Sequence, residues 1–98
     1  MVISWKVLIH EDALKQARKL GIYNRFIKFA RELQKALQET SDSKIKALMR
    51  EPIVLRIMGL PVRRIRMGKY RIFYYLDFER RVVVISGIEH RKKAYRRG

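Results

Sequence analysis

The sequence predicts one small α+β domain, with a largely antiparallel sheet covered on one side by a helical hairpin. Three observations carry that expectation. β-Branched and aromatic residues gather at Val2–Ile9 and again through Val62–Ile88. Between them, from Leu14 to Leu37, apolar residues recur at intervals of three and four, the spacing of a helix that buries one face. Strands collected after helices, rather than alternating with them, mark the α+β class. The chain's 98 residues, of which 48% are hydrophobic, leave room for one core and not two, so residues 1–98 are expected to form a single domain.

Taken in order, Val2–Ile9 (VISWKVLI) reads as a strand. His10, Glu11 and Asp12 place polar and acidic groups where the positive end of a helix dipole favours them. Leu14, Ala17 and Leu20 continue that short helix, and Gly21 is its expected C-terminal cap. The second helix carries Ile22, Phe26, Ala30, Leu33 and Leu37 on one stripe, widened by Phe29 and Ala36. Thr40–Ser43 is a polar break, after which Ser43 caps a short helical turn over Lys44–Met49, ended by Pro52. Ile53–Leu60 fits either an extended connector or an irregular strand, and Gly59 and Pro61 mark a turn.

The last third predicts a three-stranded meander that completes the sheet begun by the N-terminal strand. Val62–Met67 alternates, with Arg64 and Arg66 on one face and Ile65 and Met67 on the other. Gly68-Lys69 makes a tight turn, and Tyr70–Leu76 follows with Arg71, Phe73 and Tyr75 sharing a face. After a turn at Asp77–Arg80 comes Arg81–Ile88, whose apolar run Val82–Ile85 suits a central strand buried on both sides. His90–Arg97 is a basic tail with room for one or two helical turns.

Charge narrows the function. Twenty-four Lys and Arg against nine Asp and Glu give a net +15 and a pI near 10.8. Ion-pair networks of the kind found in heat-adapted proteins need acids in similar number, so this excess points to a polyanionic partner. It is concentrated toward the C-terminus: Arg63–Gly98 holds twelve basic and three acidic residues. Cysteine is absent, which removes disulfides and thiolate chemistry. Neither a secretory signal nor an apolar run long enough to span a bilayer is seen, so the expected setting is the cytoplasm, away from membranes.

Several chemistries lack their residues. No Gly-rich phosphate loop is present. Two histidines and no clustered acids make a transition-metal site improbable, and Asp77 and Glu79 read as turn solvation rather than a magnesium site, so neither metal nor cofactor is expected. What remains is Arg64, Arg66 and Arg71 on the sheet, followed by His90, Arg91 and Tyr95. Arginines on a strand face meet solvent or an anion. From composition alone, a phosphate-binding face and a merely solvated basic face both remain open.

The stretch RRIRMGKYRIFYYLDFERRVVVISGIEHRKKAY, from Arg63 to Tyr95, resembles the RelE family of toxins within the RelE/ParE superfamily. Gly68-Lys69-Tyr70-Arg71 followed by His90-Arg91 and a closing Tyr95 carries the likeness. The N-terminal strand, the helical hairpin and Leu55-Arg56 before the Gly-Leu-Pro turn extend it over nearly the whole chain. The resemblance implies a ribosome-dependent endoribonuclease that cuts mRNA in the A site, without a metal, by attack of the message's own 2′-hydroxyl. It also implies an acidic antitoxin partner. By position, Arg64 and Arg66 match the family's basic strand pair, Arg71 its phosphate-clamping arginine, and Arg91 and Tyr95 its C-terminal pair. Arg63, Lys69, Lys92, Lys93, Arg96 and Arg97 are expected to bind RNA and ribosome. The best-known bacterial members carry lysine where Arg64 and Arg66 align, and arginine does not release its proton. His90 is therefore the expected general base or acid. The alternatives are a ParE-like inhibitor of DNA gyrase and a non-catalytic nucleic-acid-binding module of the same fold.

Overall fold

A computed structural model describes residues 4–92. Eight elements follow one another: β1 (Lys6–Ile9), α1 (Glu11–Lys19), α2 (Tyr23–Glu39), α3 (Ser41–Arg50), β2 (Ile53–Ile57), β3 (Leu60–Met67), β4 (Tyr70–Asp77) and β5 (Val82–His90). The strands form one sheet in the order β1-β5-β4-β3-β2. β1 runs parallel to β5, and the other neighbours are antiparallel. The predicted class, strand first, then helical hairpin, then meander, is what the chain adopts. The meander has one strand more than expected, because Ile53–Ile57 pairs with β3 as an edge strand.

Each helix end has a local cause. His10 caps α1 by accepting the Asp12 amide on Nδ1 at 3.0 Å. Gly21, at φ +73°, takes the left-handed conformation that closes the helix. Helix α3 is a full ten-residue helix rather than the short turn expected over Lys44–Met49. The polar stretch read as a break is its first turn, and buried Ile45 and Leu48 anchor it. Thr40, not Ser43, holds its N-cap position, and the Ser43 hydroxyl donates to the Thr40 carbonyl.

The hairpin turns follow from residues that tolerate positive φ. Met58 and Gly59, at φ +52° and +82°, join β2 to β3 in a two-residue loop of the type I′ kind. The expected turn at Pro61 is thus one step earlier, and Pro61 lies inside β3 opposite Arg56. Gly68, at φ +59°, opens the β3–β4 turn, and a Cβ there would strike the Arg25 guanidinium laid across it.

All three helices cover one face of the sheet. Their core joins Phe26, Leu33, Leu37 and Leu48 to Ile72, Tyr74, Leu76, Val83, Ile85 and Ile88. Strand β5 is interior, as expected of Val82–Ile85, but only Val83 and Ile85 are buried against the helices. Val82 and Val84 are half-buried on the other face, so the run is not covered on both sides. Two glutamines finish the sheet where strands end. Gln34 of α2 accepts the Val7 amide at 2.7 Å and donates to the Trp5 carbonyl at 3.2 Å, closing the outer edge of β1. Gln16 of α1 accepts the Ile88 amide at 2.9 Å, beyond the reach of the four-residue β1. Among the described residues, no helix is long and apolar enough to cross a membrane.

Candidate functional site

The face without helices divides into two ends. Directly opposed residues of an antiparallel pair project to the same side, and the register sets Arg64 opposite Phe73 and Arg66 opposite Arg71. The three arginines expected to act together therefore share the uncovered face, near the Gly68-Lys69 turn. Arg66 is exposed, while Arg64 and Arg71 are half-buried. Next to them Gly87 of β5 pairs with Phe73 and Glu89 pairs with Arg71. Having no side chain, Gly87 leaves a hollow of about 460 Å³ lined by Arg64, Arg71, Phe73 and Glu89. An aromatic ring beside two guanidinium groups, with Arg66 farther along the same face, suits a nucleotide, whose base stacks and whose phosphate takes the charge.

A larger hollow, of about 800 Å³, lies at the other end of the same face. Ile57, Met58, Leu60, Tyr75 and Phe78 line it, with Asp12, Asp77 and Glu79 also contributing. No described Lys or Arg lines this larger hollow, whereas the smaller one sets Arg64 and Arg71 among apolar side chains such as Val54, Leu55 and Val62, so the smaller hollow is the candidate site. Among the described residues, no three His, Asp or Glu side chains form a group able to hold a metal ion.

Two expected site residues stand elsewhere. Arg63 pairs with Tyr74 and so projects to the helix side, where its guanidinium donates to the Glu51 carbonyl at 2.7 Å. It braces the end of α3 rather than facing solvent beside Arg64. His90 pairs with Tyr70, and the two rings meet edge to face at 5.1 Å between centroids. Its Nδ1 accepts the Lys92 amide at 3.0 Å, repeating the contact His10 makes at the start of α1. His90 is thus on the helix side, with Nδ1 engaged by the Lys92 amide, and does not join the arginines.

The cause is a single inserted residue. The β4–β5 register slips between Phe73 and Tyr74, so Ser86 is an extra residue in β5 and its hydroxyl donates to the Phe73 carbonyl at 3.3 Å. A bulge reverses the alternation beyond it. Strict alternation from Val83 and Ile85 would send His90 toward the arginines and Glu89 toward the helices; the bulge exchanges them. Glu89 is the residue that sequence reasoning missed. The lone glycine within the β5 run, Gly87, was the available signal, since an isolated strand glycine often marks a bulge.

Of the remaining candidates, Lys69 lies in the β3–β4 turn, and the Arg91 amide donates to its carbonyl at 2.8 Å. Lys69, Arg91 and Lys92 are exposed, at the arginine end of the sheet. Lys93, Tyr95, Arg96 and Arg97 lie outside the described residues.

Residues 7–95 match the family described as the ParE toxin of the type II toxin–antitoxin system, parDE. The chain belongs to this toxin family, within the RelE/ParE superfamily. Solved structures share its fold. A chain of the archaeal RelE–RelB complex from Pyrococcus horikoshii OT3 superposes with a TM-score of 0.58 at 24% identity, over 91% of this chain and 97% of that one. A chain of the RelBE2 toxin–antitoxin complex from Mycobacterium tuberculosis gives the same score and identity, over 91% of this toxin and 100% of that chain. Among curated proteins none matches the toxin. The resemblance read from Gly68–Arg71 and from His90 onward is thus borne out at the level of the superfamily.

Proposed function

We propose that this toxin cleaves mRNA on the ribosome, using the Arg64/Arg66/Arg71 face to hold the scissile phosphate. The observation that carries the reading is that these arginines, from two adjacent strands, share one face, with Arg64 and Arg71 lining a hollow floored by Gly87 and flanked by Phe73. Attack of the message's 2′-hydroxyl on the neighbouring phosphorus forms the P–O2′ bond, breaks the P–O5′ bond and leaves a 2′,3′-cyclic phosphate. Negative charge grows on the phosphorane oxygens, where fixed guanidinium groups stabilise it more than they stabilise the ground state. Phe73 stacks on a base of the codon. The ribosome presents the strand, so the toxin's own part is positioning and charge.

The test is message integrity on translating ribosomes, mapped by primer extension. Cuts are expected at A-site codons and are expected to vanish when the same RNA is supplied without ribosomes. Arg71→Ala is expected to lower the cleavage rate by about 100-fold or more, the scale of a lost charge-stabilising donor, with ribosome binding reduced far less. An intact message would overturn the reading. The partner that restrains the toxin is an acidic protein covering the basic face, expected to co-purify at low salt.

A second reading rests on the family match over residues 7–95, which names the ParE type. On that reading the toxin inhibits DNA gyrase. A supercoiling assay separates the two: gyrase inhibition together with an intact message would favour it.

A further inference from the structure

We infer that Glu89 is the proton acceptor for the attacking 2′-hydroxyl. This rests on the RNA-cleaving reading above and names the group that reading leaves open. The placement comes from register: Glu89 lies directly opposite Arg71 and two residues beyond Gly87, on the face that carries Arg64 and Arg66. Side chains directly opposed in this way start about 5 Å apart at Cβ. It is half-buried rather than enclosed. Glu89 is the one acidic side chain lining that hollow, alongside Arg64 and Arg71. The other polar groups there, Gln16 and Ser86, are occupied with the Ile88 amide and the Phe73 carbonyl and are poor bases.

Elimination agrees with placement. Arginine is never deprotonated in a protein. His90 is on the helix side, with Nδ1 engaged by the Lys92 amide. The bulge at Ser86 has in effect exchanged a histidine for a carboxylate on the reactive face. A carboxylate next to a phosphodiester is normally repelled, and here three guanidinium groups on the same face offset that repulsion. In the step itself the 2′-hydroxyl proton passes to Glu89 as its oxygen bonds to phosphorus, and the departing 5′-oxygen takes a proton from water. Solvent then removes the proton from Glu89, which leaves the site ready for another message.

Glu89→Gln tests this, because the amide keeps the size and polarity of the side chain but cannot take the proton. Single-turnover cutting on preformed ribosome complexes is expected to slow by about 100-fold or more, the usual worth of a general base. Ribosome affinity and thermal midpoint are expected to match the wild type, and Glu89→Asp to recover part of the rate. His90→Ala is expected to cut normally. Wild-type cutting by Glu89→Gln would overturn the inference. So would a parallel loss of cutting and binding, which would make Glu89 a structural partner of Arg71. A wild-type chain that leaves the message intact would instead sink the ribonuclease reading, whatever Glu89 does.

Discussion

At Tyr74 a buried phenol ties the middle of the sheet to the end of α3. Its hydroxyl donates to the Leu48 carbonyl at 2.6 Å, and the ring is 1% exposed. Burial pushes its pKa well above the ordinary 10.0; Glu51 adds to the rise and Arg63 opposes it. A phenol held protonated in the folded state beyond the point where the unfolded chain releases it contributes fully below the ordinary value, and loses that contribution as pH climbs toward the folded value. Tyr74→Phe strands the Leu48 carbonyl and is expected to cost about 1–3 kcal/mol at neutral pH. Urea unfolding should show that deficit shrinking above pH 10, as the wild type alone loses its phenol contribution; a constant gap would contradict the account. The same scale shows how far sequence alone reaches. Alternation paired Arg64 with Arg66 and grouped Arg71 with Phe73, and the hairpin register joins the two sets on one face because nothing interrupts β3 or the first half of β4. It did not reach His90, which reads as the start of a basic tail; β5 runs on to that residue, and the extra residue at Ser86 turns it to the helix side.

Among the elements, the two outer strands are finished in different ways. β1 is short, and Gln34 satisfies its exposed edge as another strand would. Gln34→Ala removes a donor and an acceptor at once and is expected to destabilise by about 1–3 kcal/mol. Lys35→Ala, one residue along on the exposed side of α2, is expected to change stability by less than about 0.5 kcal/mol. Equal effects in urea titrations would mean that water replaces the glutamine without loss. β2 keeps an open edge, with Leu55 and Ile57 about half exposed at 50% and 49%. That exposure explains why the segment was ambiguous: IVLRI lacks the alternation that burial of one face produces. α3 was under-read for a related reason. Its first turn, Ser41-Asp42-Ser43, has the composition of a loop, and only its packing on α2 makes it helical.

Across the whole molecule, charge is sorted by location rather than only accumulated. The arginines of the uncovered face lie toward the Gly68 turn, while Asp77 and Glu79 line the apolar hollow at the opposite end. On the RNA-cleaving reading proposed above, the message would be drawn to one end. With Arg64, Arg66, Lys69 and Arg71 each displacing a counterion from a single strand, log affinity should fall against log salt with a slope of magnitude about 3. Filter binding across a salt series is expected to lose about one unit of slope with Arg66→Ala and none with Arg63→Ala, since Arg63 is on the helix side. A slope unchanged in both variants would place the binding surface elsewhere.

Parallel pairing of β1 with β5 sets Lys6 beside Val82 and Ile9 beside Ile85, partners from opposite ends of the chain. Loops of that length close late, after the β3–β4 and β4–β5 hairpins have formed from neighbouring residues. During synthesis, β1 emerges well before the strand it pairs with. A nascent chain thus carries no completed sheet until β5 has emerged from its own ribosome. Assembly of the arginine face onto a finished core therefore waits on the pairing that spans the greatest distance along the sequence.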